Sequence, residues 1–191
     1  MVKTRKIIIG ITGASGSVYG LKLLEALRSF SRVESHLIIS DAGRCVMDQE
    51  IGGDVIERAL SLADYYYDIR DFSAAISSGS FITEGMIIAP CSAKTLSSVA
   101  NGFSDNLITR CADVVLKERR KLVLLFRETP LNLAHIENMY KVSNMGAVLL
   151  PPVPAFYNTP KTLDEIILHA VGKSLDIFSF EHTMFKRWKS Q

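Results

Sequence analysis

Four stretches of this 191-residue sequence combine reactive residue types with neighbours able to present them. The first is Gly10-Ile-Thr-Gly13-Ala14-Ser15-Gly16, small residues that run into a helical pattern. Free backbone N–H groups and the helix dipole at such a start favour an anion, a phosphate above all. The spacing is G-x-x-G-x-x-G, not the dinucleotide G-x-G-x-x-G, and no lysine follows as in a Walker loop; a turn that merely needs small residues stays open. The second is Pro90-Cys91-Ser92-Ala93-Lys94-Thr95, hydroxyl and amide donors that also read as a helix N-cap cluster. Cys91 reads as a small buried filler before it reads as a nucleophile. The third, Arg127-Glu128-Thr129-Pro130, sets two opposite charges directly after an apolar run, where Arg can clamp a phosphate and Glu can move a proton. The fourth, Pro151-Pro-Val-Pro-Ala-Phe-Tyr157, is a stiffened loop that offers a phenol, or only a rigid turn. Between the first two stands Ser40-Asp41, with Asp41 read as a helix cap rather than a ribose ligand. Lys117, in a basic run to Lys121, reads as a solvated helix end.

Each of these places follows a segment that should be a buried strand. Arg5–Ile11, Val33–Ile39, Gly85–Ala89 (stopped by Pro90), Leu122–Phe126 and Ala147–Leu150 are short apolar runs rich in β-branched residues. Helical periodicity fills the intervals: Val18, Leu21, Leu24 and Leu27 on one stripe, then helices over 41–50, 54–62, 95–100, 105–118, 131–145 and 163–178. The stretch 63–82 is irregular, a long loop with short elements of the kind that carries function. Strands alternating with helices predict a parallel α/β sheet, with ligands outside the carboxyl ends of its strands. With no repeat, linker or low-complexity tract, residues 1–191 read as one domain.

Composition narrows the classes without naming one. There are 22 Lys+Arg against 20 Asp+Glu, a net charge of +2 that argues for no nucleic-acid partner. Three scattered cysteines exclude a disulfide scaffold and a zinc ribbon. His36, His135, His169 and His182 have no metal-ligand spacing, so no metal is expected, and none falls in a strand-end loop as a hydrolase triad would need. No segment has the about 18 apolar residues of a membrane span, and the apolar run after Lys6 is too short for a signal peptide. A cytoplasmic protein without a membrane partner is expected. Lys186-Arg-Trp-Lys189 reads as a packing or subunit contact.

Taken together, Gly10–Gly16, Pro90–Thr95, Ala112-Asp-Val-Val-Leu-Lys-Glu-Arg119, Arg127–Pro130, His135-Ile-Glu-Asn-Met139 and Pro154–Tyr157 resemble the flavin prenyltransferase (UbiX-type) family. The resemblance runs from Ile7 to Trp188 in order, and Ile76-Ser-Ser-Gly-Ser-Phe81 is similar to the branch that accompanies phenolic and hydroxyarylic acid decarboxylases. It implies a three-layer Rossmann- or flavodoxin-like α/β fold, helices on both faces of a parallel sheet, in a homo-oligomer, typically a dodecamer, with FMN between subunits. It implies transfer of the dimethylallyl group of dimethylallyl phosphate to N5 and C6 of reduced FMN, giving prenylated FMN for a UbiD-type decarboxylase. Gly13, Ala14, Ser15, Ser40, Cys91, Ser92, Ala93, Lys94 and Arg127 match the flavin contacts. Lys117, Arg127, Glu128, Tyr157 and Lys173 match the prenyl-phosphate site, with Lys117 supplied by a neighbouring subunit. Ser15 and Glu50 match a pair at the flavin edge, and Ser15, Glu50 and Glu128 are the expected proton-transfer residues. Ala93 for the common Met, Phe126 before Arg127 and Cys111 for Ala are departures that read as packing. An FMN-dependent cysteine decarboxylase and a non-catalytic FMN-binding subunit are the rival readings; the former expects a PASANT-type segment where this chain has Pro90–Thr95.

Overall fold

The computed structural model describes residues 4–188. In chain order the elements are β1 (Arg5–Ile11), α1 (Ser17–Arg28), β2 (Val33–Ile39), α2 (Asp41–Glu50), α3 (Val55–Leu62), β3 (Tyr65–Tyr67), β4 (Gly85–Cys91), α4 (Ala93–Ala100), α5 (Leu107–Lys117), β5 (Lys121–Phe126), α6 (Leu133–Asn144), β6 (Val148–Leu149) and α7 (Leu163–Ile177). The strands form one parallel sheet in the order β3-β2-β1-β4-β5-β6. The winding reverses between β1 and β4, the switch point at which such sheets open a ligand crevice.

Side chains alternate between two cores, as period-two strands buried on both faces require. Ile7, Ile9, Ile11, Ile87, Ala89, Val123 and Leu125 join the core under α1, α2, α3 and α7. Ile8, Ile38, Met86, Ile88, Leu122, Leu124 and Phe126 join the core under α4, α5 and α6. The expected layered α/β fold with helices on both faces is therefore present. No described helix is long and apolar enough to cross a membrane.

Three local expectations change. Tyr65–Tyr67, read as irregular, is a sixth strand paired with His36–Ile38. Its tyrosines surround the buried His36, whose Nδ1 lies 2.9 Å from the Tyr67 hydroxyl and whose ring stacks on Tyr65 at 4.9 Å. Pro90 does not stop the third expected strand, which continues to Cys91 through a cis Ala89–Pro90 bond. Proline cannot donate to the ladder, and the register with β5 shifts between Ile88 and Cys91 so that Cys91 still pairs with Phe126. The helices expected to begin at 105 and 131 start two residues later, because Asn106 and Asn132 act as capping-box residues outside them.

The tail packs as expected. Asp176 accepts two hydrogen bonds from the Arg187 guanidinium, at 3.0 and 2.6 Å, and Trp188 meets Tyr157 edge-on with centroids 5.6 Å apart. Lys189 lies outside the described residues.

Helix α1 crosses β4 at Gly20, where a Cβ would strike the Ala89 carbonyl and stand 2.8 Å from the Ile11 side chain. Gly20→Ala is predicted to destabilise the fold by about 1–3 kcal/mol through overpacking. Urea unfolding checks this, and an unchanged midpoint would show that α1 can move off the sheet at little cost.

Candidate active site at the carboxyl edge of the sheet

The carboxyl ends of β1, β2, β4 and β5 surround a cleft of about 600 Å³, a volume ordinary for a cofactor site. Its floor is tied together by Thr12. The Thr12 hydroxyl donates to the Pro90 carbonyl at 2.7 Å and accepts from the Ser92 N–H at 2.9 Å. The Ser40 N–H donates to Ile11 O at 3.0 Å, and the Arg127 N–H to Cys91 O at 3.1 Å. Each strand end is thereby fixed to its neighbour, and the turns that follow them project into the cleft.

Helices α2, α4 and α5 all begin there, so three positive dipole ends face one volume. Ser40 caps α2 by accepting from the Gly43 N–H at 3.0 Å, and Ser92 caps α4 by accepting from the Thr95 N–H at 3.3 Å. Asp41, expected as the α2 cap, instead occupies the first turn and pairs with Arg70 at 2.6 Å. Ser40 has the extended backbone that a cap requires. Gly13 allows the β1–α1 turn to lie against α2, since a Cβ there would be 2.5 Å from the Ala42 Cβ. Apolar walls come from Ala42, Ile69, Ala93 and Ile108. Hydroxyl, ammonium and guanidinium donors beside flat apolar walls suit a phosphorylated ring system, so the residues present fit FMN.

The N-terminus of α1 is capped from within the chain. Glu50, at the end of α2, accepts from the Gly16 N–H at 2.9 and 3.0 Å, and from the Ser17 N–H and hydroxyl, both at 2.8 Å. These N–H groups serve a carboxylate of the chain itself. Gly16 takes a left-handed φ of 99° and offers no side-chain cap, so Glu50 supplies one from another helix. Burial opposes the Glu50 charge, but hydrogen bonds from Ser15, Ser17 and the two N–H groups outweigh it and hold its pKa below the usual carboxylate value.

The other expected site residues divide into groups. Gly13, Ser40, Ser92, Ala93, Lys94 and Glu128 line the cleft, whereas the side chains of Ala14 and Cys91 are buried beneath it. Burial pushes the Cys91 thiol pKa far up and that of Cys111 to about 12, which removes both as nucleophiles near neutrality. Ser15 is exposed beside Glu50, and the Glu128 carboxylate accepts from the Thr129 N–H at 3.1 Å. Arg127 is exposed at the end of β5, and its charge reaches Tyr19, a half-buried phenol whose pKa burial raises and Arg127 partly restores. Tyr157 and Lys173 are each close to His169 of α7. The Tyr157 hydroxyl lies 3.1 Å from His169 Nε2, one turn before Lys173, which with burial lowers the His169 pKa. Lys117 is elsewhere: it ends α5 at the amino edge of the sheet, beside Glu118. The length of β5, about 20 Å, separates that edge from Arg127.

Several residues that shape the site were not anticipated. Ile69 and Arg70 come from the irregular 63–82 stretch, whose length was the signal, and Asp105 and Asn106 precede α5.

The geometry has counterparts among known proteins. The Flavoprotein family profile matches residues 1–171. A flavin prenyltransferase UbiX from Neisseria meningitidis is 50% identical over 185 residues, 97% of each chain. The chain belongs to the flavin prenyltransferase family. Two solved structures superpose closely on it. The dodecameric FMN-dependent UbiX-like decarboxylase from Escherichia coli O157:H7 has a TM-score of 0.94 at 47% identity, covering 97% of this chain and 100% of that one. AnUbiX in complex with FMN and dimethylallyl pyrophosphate has a TM-score of 0.95 at 44% identity, covering 99% and 100%. The cleft lies at the switch point of that shared fold, with Glu128 in its lining and Arg127 directly before it at the end of β5.

Glu50→Gln should lower stability by about 1 kcal/mol at neutral pH through loss of the charged cap. A carboxyl with a depressed pKa stabilises above its unfolded value and ceases to as pH falls through its folded value. The thermal midpoints of variant and parent should therefore converge in acid; a gap independent of pH would refute the cap.

Proposed function

We propose that the protein transfers a dimethylallyl group from dimethylallyl phosphate to reduced FMN. The observation that carries this reading is Glu128, which lines a cleft whose donors suit a phosphorylated ring, with Arg127 directly before it at the end of β5. Reduced FMN, once bound, would supply two nucleophilic positions: N5, displacing phosphate from C1 of the allyl unit, and C6, bonding to C3 as the alkene gains a proton at C2 and the ring gives one up. Gly13, Ser40, Ser92, Ala93 and Lys94 hold it, with Ala14 and Cys91 shaping the turns behind them. Arg127, Lys173 and the Tyr157 hydroxyl stabilise the charge that develops on the leaving phosphate. Glu128 protonates that phosphate. Ser15 relays the proton lost from the ring to Glu50, whose hydrogen bonds must loosen first because its lowered pKa makes it a weak base.

Lys117 completes the phosphate site of another subunit. Support comes from its place at the amino edge, remote from Arg127 in the same chain, and from an apolar face left on α6. Leu133, Ile136 and Tyr140 there are 68%, 50% and 71% exposed, which suits a homo-oligomer, a dodecamer by likeness to the E. coli relative. The product, prenylated FMN, serves a UbiD-type decarboxylase, and the work is done in the cytoplasm.

Anaerobic incubation with reduced FMN and dimethylallyl phosphate, followed by mass analysis, should give a flavin heavier by one dimethylallyl unit. Unmodified flavin from folded protein would refute the reading. Glu128→Gln and Tyr157→Phe should each slow turnover by about a hundredfold without loss of FMN binding. Co-assembled Lys117→Ala and Tyr157→Phe subunits should be more active than either variant alone, because some mixed sites regain both residues. No recovery would place Lys117 outside the site.

A further inference from the structure

The cations that line the flavin cleft are already paired. Arg70 Nη2 lies 2.6 Å from Asp41 Oδ2, and Lys94 Nζ lies 3.3 Å from Asp105 Oδ2. With Glu128 also lining the cleft, its carboxylates balance or exceed its cations, so a phosphate gains there only by exchanging partners. Resting on the flavin reading above, we propose that Arg70 selects the phosphate of FMN, its guanidinium leaving Asp41 for the phosphate oxygens.

The backbone delivers Arg70 to the cleft firmly. Ile69 is buried, and its carbonyl accepts from the Leu107 N–H at the start of α5 at 2.8 Å. The Arg70 N–H donates to Asp68 Oδ1, also at 2.8 Å. Only the side chain is free to choose, and it lies beside Ser40 and Ala42 at the head of α2. A dianionic phosphate offers a guanidinium two charges and a matching pair of acceptors, where Asp41 meets it through one oxygen. Asp41, once released, remains in the first turn of α2, where the helix dipole favours its charge. The Arg70 and Asp41 side chains are 72% and 65% exposed, so their pairing contributes little to the fold and either can be replaced without unfolding.

Titration of parent, Arg70→Gln and Asp41→Asn proteins with FMN and with riboflavin, which lacks the phosphate, tests the proposal. Arg70→Gln should weaken FMN about tenfold, the scale of one charged hydrogen bond in a solvated site, and leave riboflavin unchanged. Asp41→Asn should tighten FMN severalfold by removing the competing carboxylate. If the pair only shapes the loop, both variants lose the same contact and shift both ligands in one direction; that result overturns the proposal. Parent protein that binds FMN while Arg70→Gln binds it equally well overturns this inference alone. Parent protein that binds no FMN overturns the flavin reading together with it.

Discussion

The Thr12 hydroxyl bonds the end of β1 to the turn that leaves β4, at the point where the two halves of the sheet wind apart. A parallel sheet must open there, because α1 and α4 leave in opposite directions onto opposite faces. An open edge exposes backbone groups with no ladder partner. Thr12 satisfies the Pro90 carbonyl and the Ser92 N–H in one stroke, which fixes both turns while keeping the space between them clear. The cleft, the three helix starts around it and the placement of Arg127 and Glu128 all depend on that tie.

The helix starts near this edge are used in two ways. At α1 the positive end is occupied by Glu50, and the result is a braced turn with an ionised carboxylate beside Ser15. At α2, α4 and α5 the positive ends line the cleft, with serine and asparagine caps rather than carboxylates closest to the backbone. The same local physics thus produces an internal brace at one helix and a place for a ligand anion at the others. What decides is whether the chain brings back a carboxylate of its own.

The sheet was legible in the sequence because its strands are β-branched runs buried on both faces, and such runs admit few alternatives. Tyr65–Tyr67 escaped because three exposed or half-buried tyrosines carry no such signal, and their pairing depends on the distant His36. Pro90 misled because its missing N–H normally ends a strand, whereas here a register shift absorbs it. Among site residues, those that directly follow a strand could be read in order. Glu50 was matched to the right neighbour, Ser15, yet its capping of Gly16 and Ser17 depends on how α2 lies across α1. Arg70 was hidden because only the path of a long loop brings it to the cleft.

Arg127 and Glu128 follow β5 and Lys173 lies on α7, while Lys117 ends α5 at the opposite edge of the sheet; on the proposed reading, one chain alone lacks part of the allyl phosphate site. On that reading the cleft holds FMN, and association of subunits completes the allyl phosphate site beside it. An experimental structure of the assembled protein with FMN and dimethylallyl phosphate tests this most directly. The flavin should lie in the cleft formed by Gly13, Ser40, Ser92 and Lys94, with the allyl phosphate between Arg127 and Tyr157 and within reach of Lys117 from a neighbouring subunit. A flavin bound elsewhere, or every Lys117 facing solvent, would contradict it.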